Sequence, residues 1–175
     1  MSDTLARLRL LLQAEGGLIA ELLVSEAPSD RTPGPAQAAV AGPRVDGQAG
    51  EYELLIETIY EGYLLHYHSP RVVRAPEQDL GLLAGDRLYA LGLARLVALG
   101  DIEAVAELAD VIALSALAHG AGNPQLASAV WSAGARAVGW GPSAPHERAK
   151  ALARAGSPDA LAAMLALVDR PAGGG

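Results

Sequence analysis

Four side chains near the middle of the chain have the chemistry to bind or react: His66, His68, Arg71 and Asp86. An imidazole beside a carboxylate is a pairing used in general acid–base work, and a guanidinium is a ready holder of anions. Asp86 is the most informative of them. It lies in Leu82-Leu83-Ala84-Gly85-Asp86, within the most apolar helical stretch of the sequence, and the residues three and four away (Leu82, Leu83, Tyr89, Ala90) carry no positive charge. A carboxylate buried without a partner is costly or takes up a proton. Asp86 is therefore expected to face solvent, to pair with Arg71, His66, His68 or Arg95 of another element, or to bind a ligand.

No metal site is expected from the histidines. His66 and His68 are two apart, so on a helix they point to different faces, whereas a chelating pair needs a spacing of three or four. His119 and His146 lie far away in sequence. Glu53, Glu57 and Glu61 fall four apart on one helix face. Glu57 and Glu61 have no His three residues on, so a di-iron-type carboxylate pattern is missing, and this face is expected to be solvated. The serines lack a nucleophile-elbow setting, and no glycine-rich phosphate loop leads from a strand into a helix. No catalytic set and no cofactor follow from these motifs.

The elements that must position these residues read as helices. The chain is 51% hydrophobic, with Ala and Leu dominant, no Phe, no Cys and one Lys, Lys150. Ala, Leu and Arg are strong helix formers. Without cysteine there is no disulfide, thiolate metal site or thiol nucleophile. A net charge of -7 argues against a nucleic-acid partner and against a polybasic membrane anchor. Residues 1–24 predict an amphipathic N-terminal helix with a soft spot at Gly16-Gly17. Arg7 and Arg9 interrupt its apolar run, so neither a secretory signal nor a membrane span is expected, and the cytoplasm is the expected location. Residues 25–50, with Pro28, Pro33, Pro35, Pro43 and four glycines, predict a flexible linker.

A helical bundle is expected over 51–170, giving an all-α fold of about six to seven antiparallel helices. Tyr52, Leu55, Ile56, Ile59, Tyr60, Tyr63 and Tyr67 follow one helix face. A second helix, Pro76–Leu99, is apolar nearly all round, which predicts a central position. Gly100 ends it, and Ile102–Ala118 forms the next. Asn123-Pro124 is a cap followed by proline at the first helical position and opens a helix to about Val138, with Trp140 in the turn beyond. Ser143 and Ser157 cap helices over roughly 144–155 and 158–169, and 171–175 reads as a frayed tail. Gly62, Gly85 and Gly92 predict close helix crossings.

Leu64-Leu65-His66, followed by Leu82-Leu83-Ala84-Gly85-Asp86, resembles a pair of motifs of the trans-prenyl diphosphate synthases, an all-helical isoprenoid-synthase fold. In that family Leu-Leu-His leads into Asp-Asp-x-x-Asp, which binds magnesium and an allylic diphosphate. Here the three aspartate positions hold Tyr67, His68 and Arg71, none of them a hard-cation ligand. The resemblance is therefore to the non-catalytic small subunit of heterodimeric heptaprenyl diphosphate synthase, over about residues 51–120. It implies a truncated isoprenoid-synthase-like bundle with no turnover of its own. It also implies pairing, as a homodimer or as a heterodimer with a catalytic prenyl synthase-like subunit, through a face carrying Leu83, Gly85, Tyr89 and Leu93. Two other readings stand beside it. One is a general helical scaffold without a prenyl role. The other is an enzyme whose His66, His68, Arg71 and Asp86 converge between the helices 51–68 and 76–99.

Overall fold

The structure is a computed structural model and describes residues 4–25 and 34–168. Among them the fold is all-α, with helices α1 (Thr4–Glu15), α2 (Gly17–Glu21), α3 (Ala36–Val40), α4 (Ala49–Tyr67), α5 (Gln78–Ala98), α6 (Ile102–Gly120), α7 (Pro124–Trp140), α8 (Ala144–Arg154) and α9 (Ala160–Val168). A 3-10 turn covers Pro43–Val45. Two of these helices, α2 and α3, are five-residue pieces that hydrophobic periodicity is too coarse to detect. The residues divide into two compact units rather than one bundle over 51–170. The first runs up to Gln37 and resumes over Gln48–Asp101. The second comprises Ala38–Gly47 and the chain from Ile102 onward.

In the first unit, α4 packs along α5, and α1 lies on α4. The expected soft spot is a break. Gly16 and Gly17 take positive φ values of 69° and 59°, a region open to glycine and strained for other residues, so α1 and α2 are separate. Leu8, Leu12 and Ile19 of this arm join Leu54, Val72, Val73, Ala84, Leu88 and Leu91 in one buried cluster. The arm ends in a short antiparallel pairing. Val24 N–H donates to Val72 O at 3.0 Å, and Arg74 N–H donates to Leu22 O at 2.8 Å.

The α4–α5 crossing is close because glycines line it. A Cβ on Gly62 would stand 2.8 Å from Gly85 O, and one on Gly85 would stand 2.6 Å from the His66 ring. A Cβ on Gly92 would collide with Ile59. Gly85 is thus engaged with α4 inside the unit, which removes it from the outward partner face that the resemblance implies. Nor is α5 central. Leu82, Leu83, Val97 and Leu99 are exposed, Leu83 by 58%, because Gly81, Ala84, Leu88, Leu91 and Leu96 supply the buried side.

In the second unit α6 packs on α7, α7 on α9, and α8 on both α6 and α9. The core holds Leu108, Val111, Leu114, Val130, Trp131, Val138 and Met164. Asn123 caps α7 by accepting from Leu126 N–H at 3.0 Å, and Ser143 caps α8 by accepting from His146 N–H at 3.3 Å. Trp140, expected in a turn, is the last residue of α7.

The linker expected over 25–50 is corrected in its second half; residues 26–33 and 171–175 lie outside the described residues. Ala36, Ala39 and Val45 are buried. Gly42 and Gly139 approach backbone to backbone, leaving no room for a side chain at either. Prolines flank the short helix α3 and do not interrupt it, so a high proline content is compatible with packed structure there.

Candidate functional site

The four residues singled out by type are all placed by α4, the turn after it, and α5. His66 and Asp86 do meet, with Nε2 to Oδ1 at 3.1 Å. The contact is an ion-pair distance without hydrogen-bond alignment, and the Asp86 side chain is 70% exposed. A pair this wet is worth little. The His66 ring also stacks flat on Tyr89, with centroids 5.2 Å apart and planes within 1°. Asp86 thus has both of the features its setting demanded, solvent and a partner on another helix.

His68 and Arg71 take other partners. His68 Nε2 lies 3.0 Å from the Tyr63 hydroxyl. Tyr60, Tyr63 and Tyr67 form a run of stacked and tilted rings along α4, the first pair 5.5 Å apart. Burial raises the Tyr63 phenol to about 12 and pushes that of Tyr89 further up. Both hydroxyls therefore stay protonated through the neutral range.

Arg71 turns inward and pairs with two of the three glutamates expected to be solvated. Glu57 and Glu61 are buried, Glu61 completely, which corrects the expectation of a wet Glu53–Glu57–Glu61 face. Arg71 Nη1 lies 2.7 Å from Glu57 Oε2, and its Nε donates to Glu61 Oε2 at 3.0 Å. Glu61 Oε1 accepts the backbone N–H groups of Arg71, Val72 and Val73 at 2.6, 2.7 and 3.3 Å. Glu57 Oε1 accepts Ala36 N–H at 3.3 Å, at the start of α3, and Glu53 accepts from the Gln37 amide at 2.8 Å. Tyr60 lies under the guanidinium, 5.3 Å from its carbon. Burial raises the Glu57 carboxyl, and Arg71 opposes that only in part. Two buried carboxylates, one guanidinium and three backbone donors therefore form a structural clamp that fixes the 71–73 turn.

A second ionic cluster, unseen in the sequence, lies in the second unit. His146 Nε2 is 2.7 Å from Glu107 Oε1, and both residues are buried. Lys150, the single lysine, donates to Glu107 Oε2 and Asp110 Oδ2 at 2.9 Å each and lies 2.9 Å from Glu147 Oε1. Arg154 reaches Asp110 at 2.6 Å. Burial alone would raise the Glu107 and Asp110 carboxyls. Hydrogen bonds from His146 and Lys150 bring Glu107 below its ordinary value, and those from Arg154 and Lys150 do the same for Asp110. Hydrogen bonds to Glu107, Glu147 and Asp110 hold the Lys150 ammonium well above its ordinary range despite burial.

Glu107, His146 and Glu147 bring three ligand atoms within 4.8 Å of one another, a spacing a metal ion could use. The Lys150 ammonium sits against both glutamates and takes the cation's place. A metal would have to displace a group bound by three carboxylates. Two signals could have revealed the cluster. Glu107 shares the apolar face of α6 with Ala104 and Val111, and His146 and Glu147 precede Lys150 by four and three residues on α8.

Part of what remains outward on the first unit is apolar. Along α5, Leu83, Ala90 and Val97 recur every seven residues, with Leu93 and Ala94 between the last two; Leu83 and Val97 are 58% and 51% exposed. Asp79, Asp86 and Arg87 are exposed charges on this side of the helix. Tyr67 is exposed at the end of α4, and Tyr89 is half-buried beside His66. Of the residues expected at a partner face, Leu83, Leu93 and Tyr89 keep exposed surface. Among the described residues no helix is long and apolar enough to cross a membrane. No protein-family model, no curated protein and no solved structure matches the chain.

Proposed function

We propose that this chain is a non-catalytic helical subunit that works by pairing through the outward face of α5. The observation that carries the reading is the seven-residue apolar repeat Leu83–Ala90–Val97, held in solvent while the opposite side of the helix is covered by α4. Residues at this spacing fall along one side of a helix, where an exposed apolar row offers a packing surface. Exposed apolar surface bordered by tyrosines and a few charges has the composition of an interface core. The polar residues that could have formed an active site are instead engaged in structure, Arg71 with Glu57 and Glu61, and His68 with Tyr63.

The resemblance around Leu83-Ala84-Gly85-Asp86 names the partner to test first, a catalytic trans-prenyl diphosphate synthase subunit bearing the aspartate-rich motifs that this sequence lacks. In this reading α5 supports the partner's elongation cavity and influences product length.

The test mixes the purified chain with such a subunit from the same source and measures mass in solution by light scattering. A one-to-one complex is expected, with prenyl transfer only in the mixture. Leu83→Asp and Val97→Asp each place an unpaired charge in the apolar row and are expected to weaken the complex about 100-fold. Prenyl transfer by the chain alone, or a complex indifferent to both substitutions, refutes the proposal. A stable homodimer that excludes the synthase assigns the face to a second copy instead.

A further inference from the structure

The second unit carries an apolar groove between α8 and α9 that the pairing reading does not use. Pro145, Ala149 and Leu152 of α8 and Ala163, Ala166 and Leu167 of α9 line a cavity of about 380 Å³. The floor is built from alanines, which leave space between two helices that leucines would have filled. This volume falls in the lower part of the roughly 300–1,000 Å³ typical of small-molecule sites. All nine residues of α9 are apolar, and only Ala160, Met164 and Leu167 are buried, so the helix offers hydrocarbon surface well beyond what its own core requires. Arg148 stands at the rim, exposed and with no ion pair among the described residues. The nearby charges of α8 and α6 are engaged elsewhere, Glu147 with Lys150, and Asp110 with Lys150 and Arg154.

We propose that the α8–α9 groove binds a single hydrocarbon chain with an anionic head, an amphiphile of the fatty-acid type. The apolar floor covers the chain, and the exposed Arg148 guanidinium takes the head in the two-point geometry it forms with a carboxylate or phosphate. The groove is concave and lies between two helices, a shape that encloses one chain and not a flat bilayer surface, so the ligand is a monomer.

The test titrates the full chain with dodecanoate below its micelle concentration, with dodecanol, and with phosphatidylglycerol vesicles. Calorimetry gives affinity, and amide chemical shifts locate the site. Saturable one-to-one binding of dodecanoate is expected, with shifts confined to α8 and α9. Tightening of about fourfold per added methylene is expected until the groove is full. Arg148→Gln removes an exposed side chain that has no ion pair among the described residues. It is expected to weaken dodecanoate about tenfold and to leave dodecanol unchanged. Ala163→Leu fills the floor and is expected to weaken both, with helical content unaltered. Absence of saturable dodecanoate binding overturns the proposal, as does binding indifferent to both substitutions. Vesicle binding that survives both substitutions overturns it in favour of a bilayer.

Discussion

Replacing Glu61 by Gln tests the clamp that holds the first unit. The carboxylate is fully buried, accepts three backbone N–H groups and pairs with the Arg71 guanidinium. Gln keeps one acceptor oxygen for the backbone but turns an N–H₂ toward Arg71 Nε, so a donor faces a donor. Breaking a buried ion pair from one side costs about 3–5 kcal/mol, because the remaining charge loses its compensation. Glu57 still faces Arg71 at 2.7 Å, which places Glu61→Gln at the lower end, about 3 kcal/mol. Against a total stability of about 5–15 kcal/mol, that is a large shift of the urea midpoint. The loss should also be local. Hydrogen exchange at Val72, Val73, Val24 and Arg74 should accelerate before global unfolding, because the 71–73 turn carries the pairing to the N-terminal arm. Glu57→Gln is the internal control. Burial raises the Glu57 carboxyl, and it accepts one backbone N–H instead of three, so its replacement should cost less. A loss below about 1 kcal/mol for Glu61→Gln, or a loss no greater than that of Glu57→Gln, refutes the reasoning.

Lys150→Met should destabilise the second unit by about 3 kcal/mol, since Glu107 is left buried with His146 as its remaining close partner; chemical denaturation measures it. Adding Glu107→Gln to Lys150→Met should recover part of that loss, which a double-mutant cycle reads out. Stability should also depend on pH at both extremes. Glu107 and Asp110 have folded values below their ordinary 4.5 and 3.8, so their contribution is present above those values and is lost as pH falls through the folded ones. Lys150 is raised from 10.5, so its contribution is complete below 10.5 and disappears as pH rises above it. Thermal melts across pH should show both limbs, and Lys150→Met should shrink the alkaline one without removing it, because burial also raises the Tyr63 and Tyr89 phenols and their contribution is lost in the same direction. Gly62→Ala should lower stability by about 1–3 kcal/mol, although Ala favours an isolated helix by about 1 kcal/mol, because the new methyl meets the Gly85 carbonyl. A rise in melting temperature would show that the α4–α5 crossing yields.

Local events are written in the residue types. Helix content follows from Ala, Leu and Arg. The break at Gly16-Gly17 and the caps at Asn123 and Ser143 depend on backbone conformations and hydrogen bonds within a few residues, so neighbouring sequence is enough to foresee them. Gly62, Gly85 and Gly92 are legible as crossings, because an interior glycine has little other use in a helix. The demand that Asp86 find solvent or a partner is legible too, since its own helix offers no cation.

Which charged residues are buried depends instead on packing between distant segments. Periodicity counts Glu57 and Glu61 as polar and assigns them to solvent. Their burial is tolerable only because the chain turns back after α4 and lays Arg71 and three backbone donors against them. Glu107 meets His146 and Lys150 across 39 and 43 residues. The side of α5 that stays in water is likewise set by where α4 lies. Desolvation is a property of everything packed around a group, and that surrounding shell comes from distant parts of the chain that no local spacing encodes.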